Sequence, residues 1–315
     1  MAQKTGISVV IPVYNSEAIL EPLFSRLAPV LNGLAGEAWE VILVDDGSAD
    51  GSWAVASRLA STERRIVAVR MMRNYGQHNA VIAGVRLARY DTIITMDDDL
   101  QHPPEVLPAL FEKFSEGWDL VYGPPEREQH GVMRDIASRL TKLALSAAMG
   151  TDMARHVTAL RVFRTQLRNA FADYHGPSPN VDVLLSWATR RVTAVAVRHE
   201  VRAVGRSNYT FSRLVTHAWN MITGFSALPL RVATIMGFGF VVFGALLFLY
   251  VLARYVIAGS PVQGFPFLAS SIAIFSGVQL FCLGVMGEYI ARIHSRSLER
   301  PTYVVREILN QETDP

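Results

Sequence analysis

Two long apolar stretches near the end of the chain set the strongest limit on its fold. Residues 232–253 (VATIMGFGFVVFGALLFLYVLA) and residues 262–287 contain no charged side chain. Each is longer than the roughly 20 apolar residues with which an α-helix crosses a bilayer. Two core helices of a soluble protein are the alternative, but core helices rarely stay free of charge over such lengths. The sequence therefore predicts two transmembrane helices within residues 230–290.

The arginines that flank these stretches predict how the chain is oriented. Arg231 precedes the first stretch, and Arg254 is the only charge in the link between the two. Four arginines follow the second stretch: Arg292, Arg296, Arg300 and Arg306. Because basic flanks stay on the cytoplasmic side, both ends of the chain are expected in the cytosol and the link outside. The opening MAQKTG lacks the pattern of a signal peptide, so residues 1–209 are expected to form a cytosolic domain of a multi-pass protein in the cell (inner or plasma) membrane.

The remaining segments are assigned from composition and periodicity. In residues 210–229 the apolar positions 211, 214, 215, 218, 222 and 225 share one helical face, which predicts an amphipathic juxtamembrane helix on the bilayer surface. Residues 291–315 are expected to be a cytosolic tail. The net charge of +2 is too small to indicate nucleic acid. Cys282, the only cysteine, lies inside the second apolar stretch and rules out an internal disulfide.

The soluble part alternates between strand patterns and helix patterns. Short apolar runs predict five strands, at Ile7–Val13, Glu40–Val44, Ile66–Met71, Thr92–Met96 and Asp119–Tyr122. Regular alternation of this kind is typical of an α/β fold in which helices cover a mainly parallel, Rossmann-like sheet. Neither GxGxxG nor GxxxxGK(S/T) occurs, so a dinucleotide site and a P-loop are disfavoured.

A run of three aspartates follows the fourth predicted strand. If the chain stays extended, Asp97, Asp99 and Gln101 point to one side and Asp98 to the other. Carboxylate and amide oxygens suit Mg²⁺ or Mn²⁺, with a substrate phosphate completing the coordination shell. A solvated acidic loop is the alternative, and the triplet alone does not decide between the two. Tyr14 and Asp45 also follow strand ends, where parallel sheets bind ligands, and this favours a site.

Four motifs in order resemble a known family. They are Ile11–Asn15 (IPVYN), Val44–Gly51 (VDDGSADG), Arg73–Gln77 (RNYGQ) and Met96–Glu105 (MDDDLQHPPE). Together they resemble the family-two inverting glycosyltransferases of the GT-A fold. Residues 202–209 (RAVGRSNY) and the two terminal apolar stretches narrow the resemblance to polyprenyl-phosphate glycosyltransferases, the group that contains dolichol-phosphate mannose synthase and the undecaprenyl-phosphate aminoarabinose transferase.

The resemblance implies roles for individual residues. Asp99 and Arg202 would be catalytic, and Asp97, Asp99 and Gln101 would hold the Mg²⁺ or Mn²⁺ ion. The donor nucleotide would be bound by Pro12, Tyr14, Glu17, Asp45, Asp46, Asp97 and Asp98, with one of Asp45 and Asp46 serving only the turn. The acceptor phosphate would be bound by Arg127, Arg202, Arg206, Ser207 and Asn208.

The implied activity is transfer of one sugar from a nucleotide diphosphate sugar, with UDP weakly favoured over GDP, to a polyprenyl phosphate of the undecaprenyl type. The partners are then the donor, the lipid acceptor and the bilayer, with no nucleic acid; whether the chain forms a homo-oligomer is open. A processive polysaccharide synthase is one alternative, but its Gln-x-x-Arg-Trp motif is absent. A non-catalytic membrane scaffold on a degenerate transferase fold is another, because Ser16, Ala159 and Asn208 depart from the usual pattern.

Ala159 stands where many relatives have an acidic residue that could act as a base. A phosphate monoester is already mostly a dianion at pH 7, since its second pKa is about 6. The sequence therefore predicts transfer without an obligatory protein base. On this reading, substitution of the nearby acids Asp152 or Asp182 by Asn slows transfer only modestly.

Overall fold

The computed structural model describes residues 4–126, 156–174, 176, 179–200, 223–225, 227–258 and 265–311, together with residues 146 and 149. The chain divides into two compact units. One contains residues 1–218 and 299–315, and the other contains residues 219–298.

The first unit is built on one eight-stranded sheet. Its strands are β1 (Lys4–Val13), β2 (Trp39–Asp45), β3 (Ile66–Met71), β4 (Tyr90–Thr95), β5 (Leu120–Tyr122), β6 (Arg161–Arg164), β7 (Val192–Ala194) and β8 (Val305–Leu309). Their order across the sheet is β7-β5-β6-β4-β1-β2-β3-β8. Strands β1 to β4 are mutually parallel, and β5 is parallel to β7. The mainly parallel α/β fold predicted from the alternation is confirmed, with small shifts at the strand ends.

Helices cover both faces of this sheet. They are α1 (Leu20–Ala35), α2 (Ser52–Thr62), α3 (Gln77–Leu87), α4 (Leu107–Ser115) and α5 (Val181–Ala188), with 3-10 turns at Pro104–Val106 and Thr165–Phe171. Side chains alternate along each strand, so Val9 and Ile11 pack into the cluster with α1, α2 and α4, whereas Val10 packs into the cluster with α3 and α5. Burial on both faces explains why the strands are continuous apolar runs.

Two strands run against the others and were missed by the sequence prediction. Strand β6 lies antiparallel between β4 and β5, and β8 lies antiparallel along the outer edge of β3. The segment 291–315, predicted as a cytosolic tail, thus contains a strand of the sheet. Residues 305–309 complete the sheet, because pairing with β8 satisfies the backbone groups that β3 would otherwise leave open at an edge.

The second unit consists mainly of two long helices, α6 (Leu228–Ala258) and α7 (Phe265–Ser297). Within them, Leu228–Arg254 and Ile274–Ser297 are long and apolar enough to cross a membrane, with mean hydropathies of 2.5 and 1.5. The helices extend past the predicted limits of 230 and 290. Of the predicted juxtamembrane segment 210–229, residues 210–222 and 226 lie outside the described part of the chain.

Candidate active site

An open cleft lies where β1 and β4 end and α3 begins. It has a volume of about 250 Å³ and is lined by Pro12, Val13, Tyr14, Asp46, Asn74, Gly76, Gln77, Asp97, Asp98 and Asp99. We call it the aspartate cleft. The carboxyl ends of parallel strands meet at one edge of a sheet, which brings residues from four separate motifs together. Five predicted donor-site residues (Pro12, Tyr14, Asp46, Asp97 and Asp98) line this cleft, as does the predicted metal ligand Asp99.

Asp45, the last residue of β2, and Asp46, which follows it, have different surroundings. Asp46 accepts hydrogen bonds from the backbone N–H groups of Tyr75 and Gly76, at 2.7 and 2.8 Å. Gly47, between the loops, has a φ of +71°, and a Cβ there would lie 2.7 Å from the backbone of Arg73. Burial raises the pKa of the Asp46 carboxyl above its usual value. Asp46 thus fastens the loop after β2 to the loop that enters α3.

Asp45 is buried, and one of its two carboxylate oxygens accepts no hydrogen bond from the described residues. Its Oδ1 accepts a hydrogen bond from the Ser48 N–H at 3.1 Å. Its Oδ2 is buried and has no hydrogen-bond partner within the described residues. The nearest cation is Arg70, whose Nε lies 3.9 Å from that oxygen. A buried acceptor without a donor is costly, so Asp45 is the aspartate of the two that is suited to receive an N–H group from a ligand.

The aspartate triplet lies at the end of β4. Asp97 and Asp98 are half-buried, and Asp99 is buried. The Gln77 side chain donates a hydrogen bond to Asp97 Oδ1, and the Gln101 N–H donates one to Asp99 Oδ1 at 3.1 Å. Asp98 accepts from the Tyr14 N–H at 3.4 Å, and burial raises the pKa of the Asp98 carboxyl. All three aspartates line the cleft, so the alternation predicted for an extended chain, with Asp98 on the other side, does not hold here.

These carboxylates fit a divalent cation that is shared with a ligand. Among the described residues, no group of three His, Cys, Asp or Glu side chains could hold a metal ion by itself. Mg²⁺ is usually bound by one or two carboxylates together with substrate phosphates, and Asp97 and Asp99 provide that donor set. Gln101 is absent from the described residues that line the cleft. Its predicted role as a metal ligand stays a prediction.

Tyr14 and Glu17 follow β1. Tyr14 is 52% exposed at the rim of the cleft, where its ring is open to a ligand. Glu17 instead accepts a hydrogen bond from the Gly51 N–H at 3.0 Å, which ties the loop after β1 to the start of α2. Its predicted contact with the nucleotide would have to be made by the remaining oxygen.

The structure adds a histidine pair that the sequence analysis did not identify. His102 is buried, and its ring meets the ring of His199 edge to face, with centroids 4.8 Å apart. Burial, with His199 beside it, lowers the pKa of His102 to about 4, so the ring is neutral at pH 7. Its Nε2 lies 3.4 Å from the Thr158 hydroxyl, and its Nδ1 is buried without a hydrogen-bond partner in the described part of the protein. Nothing in the local sequence distinguishes this histidine from a surface one.

A buried polar network lies behind the triplet. Arg161 on β6 is opposite Thr95 on one side and Tyr122 on the other. Its guanidinium donates to Thr95 Oγ1 at 2.8 Å and forms a buried ion pair with Asp182 at the start of α5. The Tyr122 hydroxyl donates to Asp182 at 3.1 Å, and burial raises the Tyr122 pKa well above its usual value. Asp182 is therefore engaged as the counter-charge of Arg161.

The predicted acceptor residues Arg127, Arg202, Arg206, Ser207 and Asn208 lie outside the described residues, as does Asp152. Position 159 is described, and the backbone carbonyl of Ala159 accepts from the Thr95 hydroxyl at 2.8 Å.

The fold and the cleft define a class of enzyme. A crystal structure of glucosyl-3-phosphoglycerate synthase from Mycobacterium tuberculosis, in complex with Mn²⁺, UDP-glucose and phosphoglyceric acid, superposes with a TM-score of 0.50 over 70% of this chain and 78% of that one, at 20% identity. This likeness establishes the GT-A fold of the sugar transferases. Residues 8–173 match the model of the glycosyl transferase family 2, and the chain belongs to that family.

Curated relatives extend the similarity through the apolar helices. The undecaprenyl-phosphate 4-deoxy-4-formamido-L-arabinose transferase of Shewanella sediminis is 37% identical over 96% of this chain and 92% of its own length. The enzyme of the same name from Pectobacterium carotovorum is 34% identical over 98% of this chain and 95% of its own. The protein is thus a membrane glycosyltransferase, and the resemblance inferred from the four motifs is confirmed.

Proposed function

We propose that this enzyme transfers a single sugar from a UDP-sugar to undecaprenyl phosphate at the cytosolic face of the membrane. One observation carries the proposal: relatives named for transfer to undecaprenyl phosphate match more than nine-tenths of the chain, including both apolar helices and the aspartate cleft. The relatives' sugar, 4-deoxy-4-formamido-L-arabinose, is the first donor sugar to test.

The donor nucleotide is assigned to the aspartate cleft. Asp45 Oδ2 is the buried acceptor that would receive an N–H group of the base, and Tyr14 offers an exposed ring for packing against it. The UDP-glucose in the complex of the structural neighbour supports a uridine donor.

The donor diphosphate is assigned to the end of β4. Asp97 and Asp99 would hold Mg²⁺ or Mn²⁺ there, and the Mn²⁺ in the neighbour's complex supports this. Such an ion would supply a Lewis acid that stabilises the departing nucleoside diphosphate. The Gln77 amide, by donating to Asp97, orients one of the two carboxylates.

The chemical step is a displacement at the anomeric carbon. A phosphate oxygen of the lipid forms a new bond to that carbon while the bond to the nucleoside diphosphate breaks, and the configuration inverts. Position 159 is an alanine and carries no carboxylate, and the carboxylate of Asp182 is engaged by Arg161 and Tyr122, so neither position offers a free base. Because a phosphate monoester is mostly dianionic at pH 7, it can attack without one. Arg127, Arg202, Arg206, Ser207 and Asn208 remain the proposed acceptor ligands, and the guanidinium of Arg202 suits a phosphate.

Turnover by the purified full-length enzyme tests this function. Undecaprenyl phosphate in detergent micelles is combined with a panel of UDP- and GDP-sugars and Mg²⁺, and products are identified by mass spectrometry. We expect one glycosyl-phosphoryl-undecaprenol product with a UDP-sugar, and equimolar UDP. Addition of several sugars to one acceptor would indicate a processive synthase. Absence of nucleotide release with every donor would favour a scaffold.

The membrane arrangement is also a proposal, with two passes and both ends in the cytosol. Cys282 is first replaced by Ser, and single cysteines are then introduced at Gly259 and Ser297. An impermeant maleimide added to intact cells should label the cysteine at 259, in the link, and should reach the one at 297 only after lysis. The reverse pattern would contradict the orientation.

A further inference from the structure

The segment that leads into Arg202 is fastened to the loop that carries the aspartate triplet. The Glu200 N–H donates to the Gln101 carbonyl at 2.8 Å. One residue earlier, the ring of His199 lies against the ring of His102. Both contacts join residues 199–200 to residues 101–102, directly after Asp99.

A second set of contacts brings in helix α1. The Arg26 guanidinium forms two hydrogen bonds with the Glu105 carboxylate, at 3.0 and 2.9 Å. It also reaches both oxygens of Glu200, each at 3.4 Å. We call these three residues the Arg26 latch. Glu105 is the last residue of the motif Met96–Glu105, so one guanidinium on α1 bridges that motif and Glu200.

The same segment is paired with the chain that leads into Arg127. The Val197 N–H donates to the Pro124 carbonyl at 2.8 Å, and the Glu126 N–H donates to the Val197 carbonyl at 3.0 Å. Val197 is buried. Residues 124–126 are thus paired with Val197, and the segments 124–126 and 197–200 end one and two residues before an arginine proposed to bind the acceptor phosphate.

From these contacts we propose that the Arg26 latch positions the acceptor-binding segment against the aspartate cleft. Arg26 is a positioning residue: it is not among the described residues that line the cleft, and it acts through Glu200. Two residues of chain span at most about 7 Å, so fixing Glu200 limits where the chain can carry Arg202. The inference rests on the proposed function, because it assigns the latch to binding of the lipid phosphate.

The latch is suited to positioning more than to holding the fold together. Arg26 is 33% exposed, Glu200 35% and Glu105 54%, and ion pairs with such exposure contribute little to stability. Small misplacement of a substrate-binding group, in contrast, can cost up to about 100-fold in rate. Loss of the latch should therefore raise the KM for the lipid acceptor while leaving the melting temperature nearly unchanged.

The test compares Arg26→Gln, Glu200→Gln and the double variant in the full-length enzyme. We expect each single variant to raise the KM for undecaprenyl phosphate about 5- to 10-fold, within the range that misplacement allows. The Kd for UDP, measured by calorimetry with Mn²⁺ present, should stay within about twofold, and the melting temperature should stay close to that of the wild type. Because the two residues act as a pair, the double variant should be no worse than either single one. Arg26→Lys, which keeps the charge, should recover part of the loss.

Glu21→Gln is the matched control. Glu21 also lies on α1, and it forms an exposed ion pair with Arg58 on α2 at 2.6 Å. The KM of the Glu21→Gln enzyme for undecaprenyl phosphate should equal that of the wild type. Unchanged acceptor KM in Arg26→Gln and Glu200→Gln would overturn the latch, as would an equal rise in the Kd for UDP. If the wild-type enzyme itself fails to use undecaprenyl phosphate, the proposed function is refuted first, and the latch proposal is refuted with it.

Discussion

Replacing Asp99 by asparagine should abolish sugar transfer while leaving the fold intact. Asparagine has nearly the same shape, and its amide oxygen can still accept the hydrogen bond from the Gln101 N–H. What it loses is the negative charge that a divalent cation requires at the end of β4. Loss of a residue that only supports a metal ligand costs about 10- to 100-fold in affinity or activity, so loss of a ligand itself should cost at least about 100-fold.

Two measurements separate this effect from misfolding. Titration of Mn²⁺ into the enzyme with UDP, followed by electron paramagnetic resonance, should show weaker Mn²⁺ binding in Asp99→Asn, and chelation of the wild type should reproduce the loss of activity. Asp91→Asn is the control, because Asp91 lies at the other end of β4, where its Oδ1 accepts hydrogen bonds from the Gly6 N–H at 3.1 Å and from the Thr92 hydroxyl at 3.3 Å. Full transfer by Asp99→Asn, or by the wild type in excess chelator, would show that Asp99 does not act through a metal.

The sequence was sufficient wherever a pattern repeats over many residues. The strands β1 to β4 are apolar runs because both faces of the sheet are covered. Such runs can be recognised in the sequence directly. Part of the aspartate cleft was also predictable, since Tyr14, Asp45 and the aspartate triplet each follow such a strand and parallel strands end at one edge. Tyr14 and the triplet line the cleft, whereas Asp45 is not among its lining residues.

The sequence was insufficient where an element is short or is formed by distant pairing. Residues 304–309 read VVREIL, which alternates with neither the strand period nor the helix period, yet 305–309 form the edge strand beside β3. Strand β6 has four residues, with an arginine at each end. These strands form because their backbone groups complete an existing sheet, and no local pattern is needed for that.

The different roles of Asp45 and Asp46 could be assigned only from three-dimensional contacts. The sequence predicted that one of them serves the turn, but the choice depends on residues 75 and 76, which lie about 30 positions further along the chain. Both oxygens of Asp46 accept N–H groups there, whereas Asp45 Oδ2 stays unpaired among the described residues. The structure thereby directs the donor proposal to Asp45.

Asp182 shows how the contacts add to a prediction about mechanism. From sequence, Asp182→Asn was expected to slow transfer only modestly, because no base is required. That expectation about the rate stays a prediction, and the contacts of Asp182 add an effect on stability. Asp182 and Arg161 are 5% and 3% exposed, and each is the charge partner of the other. Removal of one partner of a buried ion pair leaves the other charge uncompensated, which costs about 3–5 kcal/mol.

Asp182→Asn should therefore destabilise the enzyme strongly and affect the chemistry of each folded molecule little. For a unit of this size, about 3–5 kcal/mol corresponds to a decrease in melting temperature of roughly 6–20 °C. Arg161→Met combined with Asp182→Leu should recover part of that decrease, because apolar residues of similar volume can replace a buried ion pair without leaving a charge behind. Recovery would remain incomplete, since the Tyr122 hydroxyl and Thr95 Oγ1 would each lose a hydrogen-bond partner.

The rate per folded molecule then decides whether Asp182 is a base. We expect kcat of Asp182→Asn, measured well below its melting temperature and normalised to folded enzyme, to stay within about tenfold of the wild type, because general base catalysis would be worth about 100- to 10,000-fold. The double variant should transfer sugar as well. A kcat reduced as severely as that of Asp99→Asn, in protein that is still folded and still binds UDP, would make Asp182 a catalytic base and would refute transfer by an unassisted phosphate.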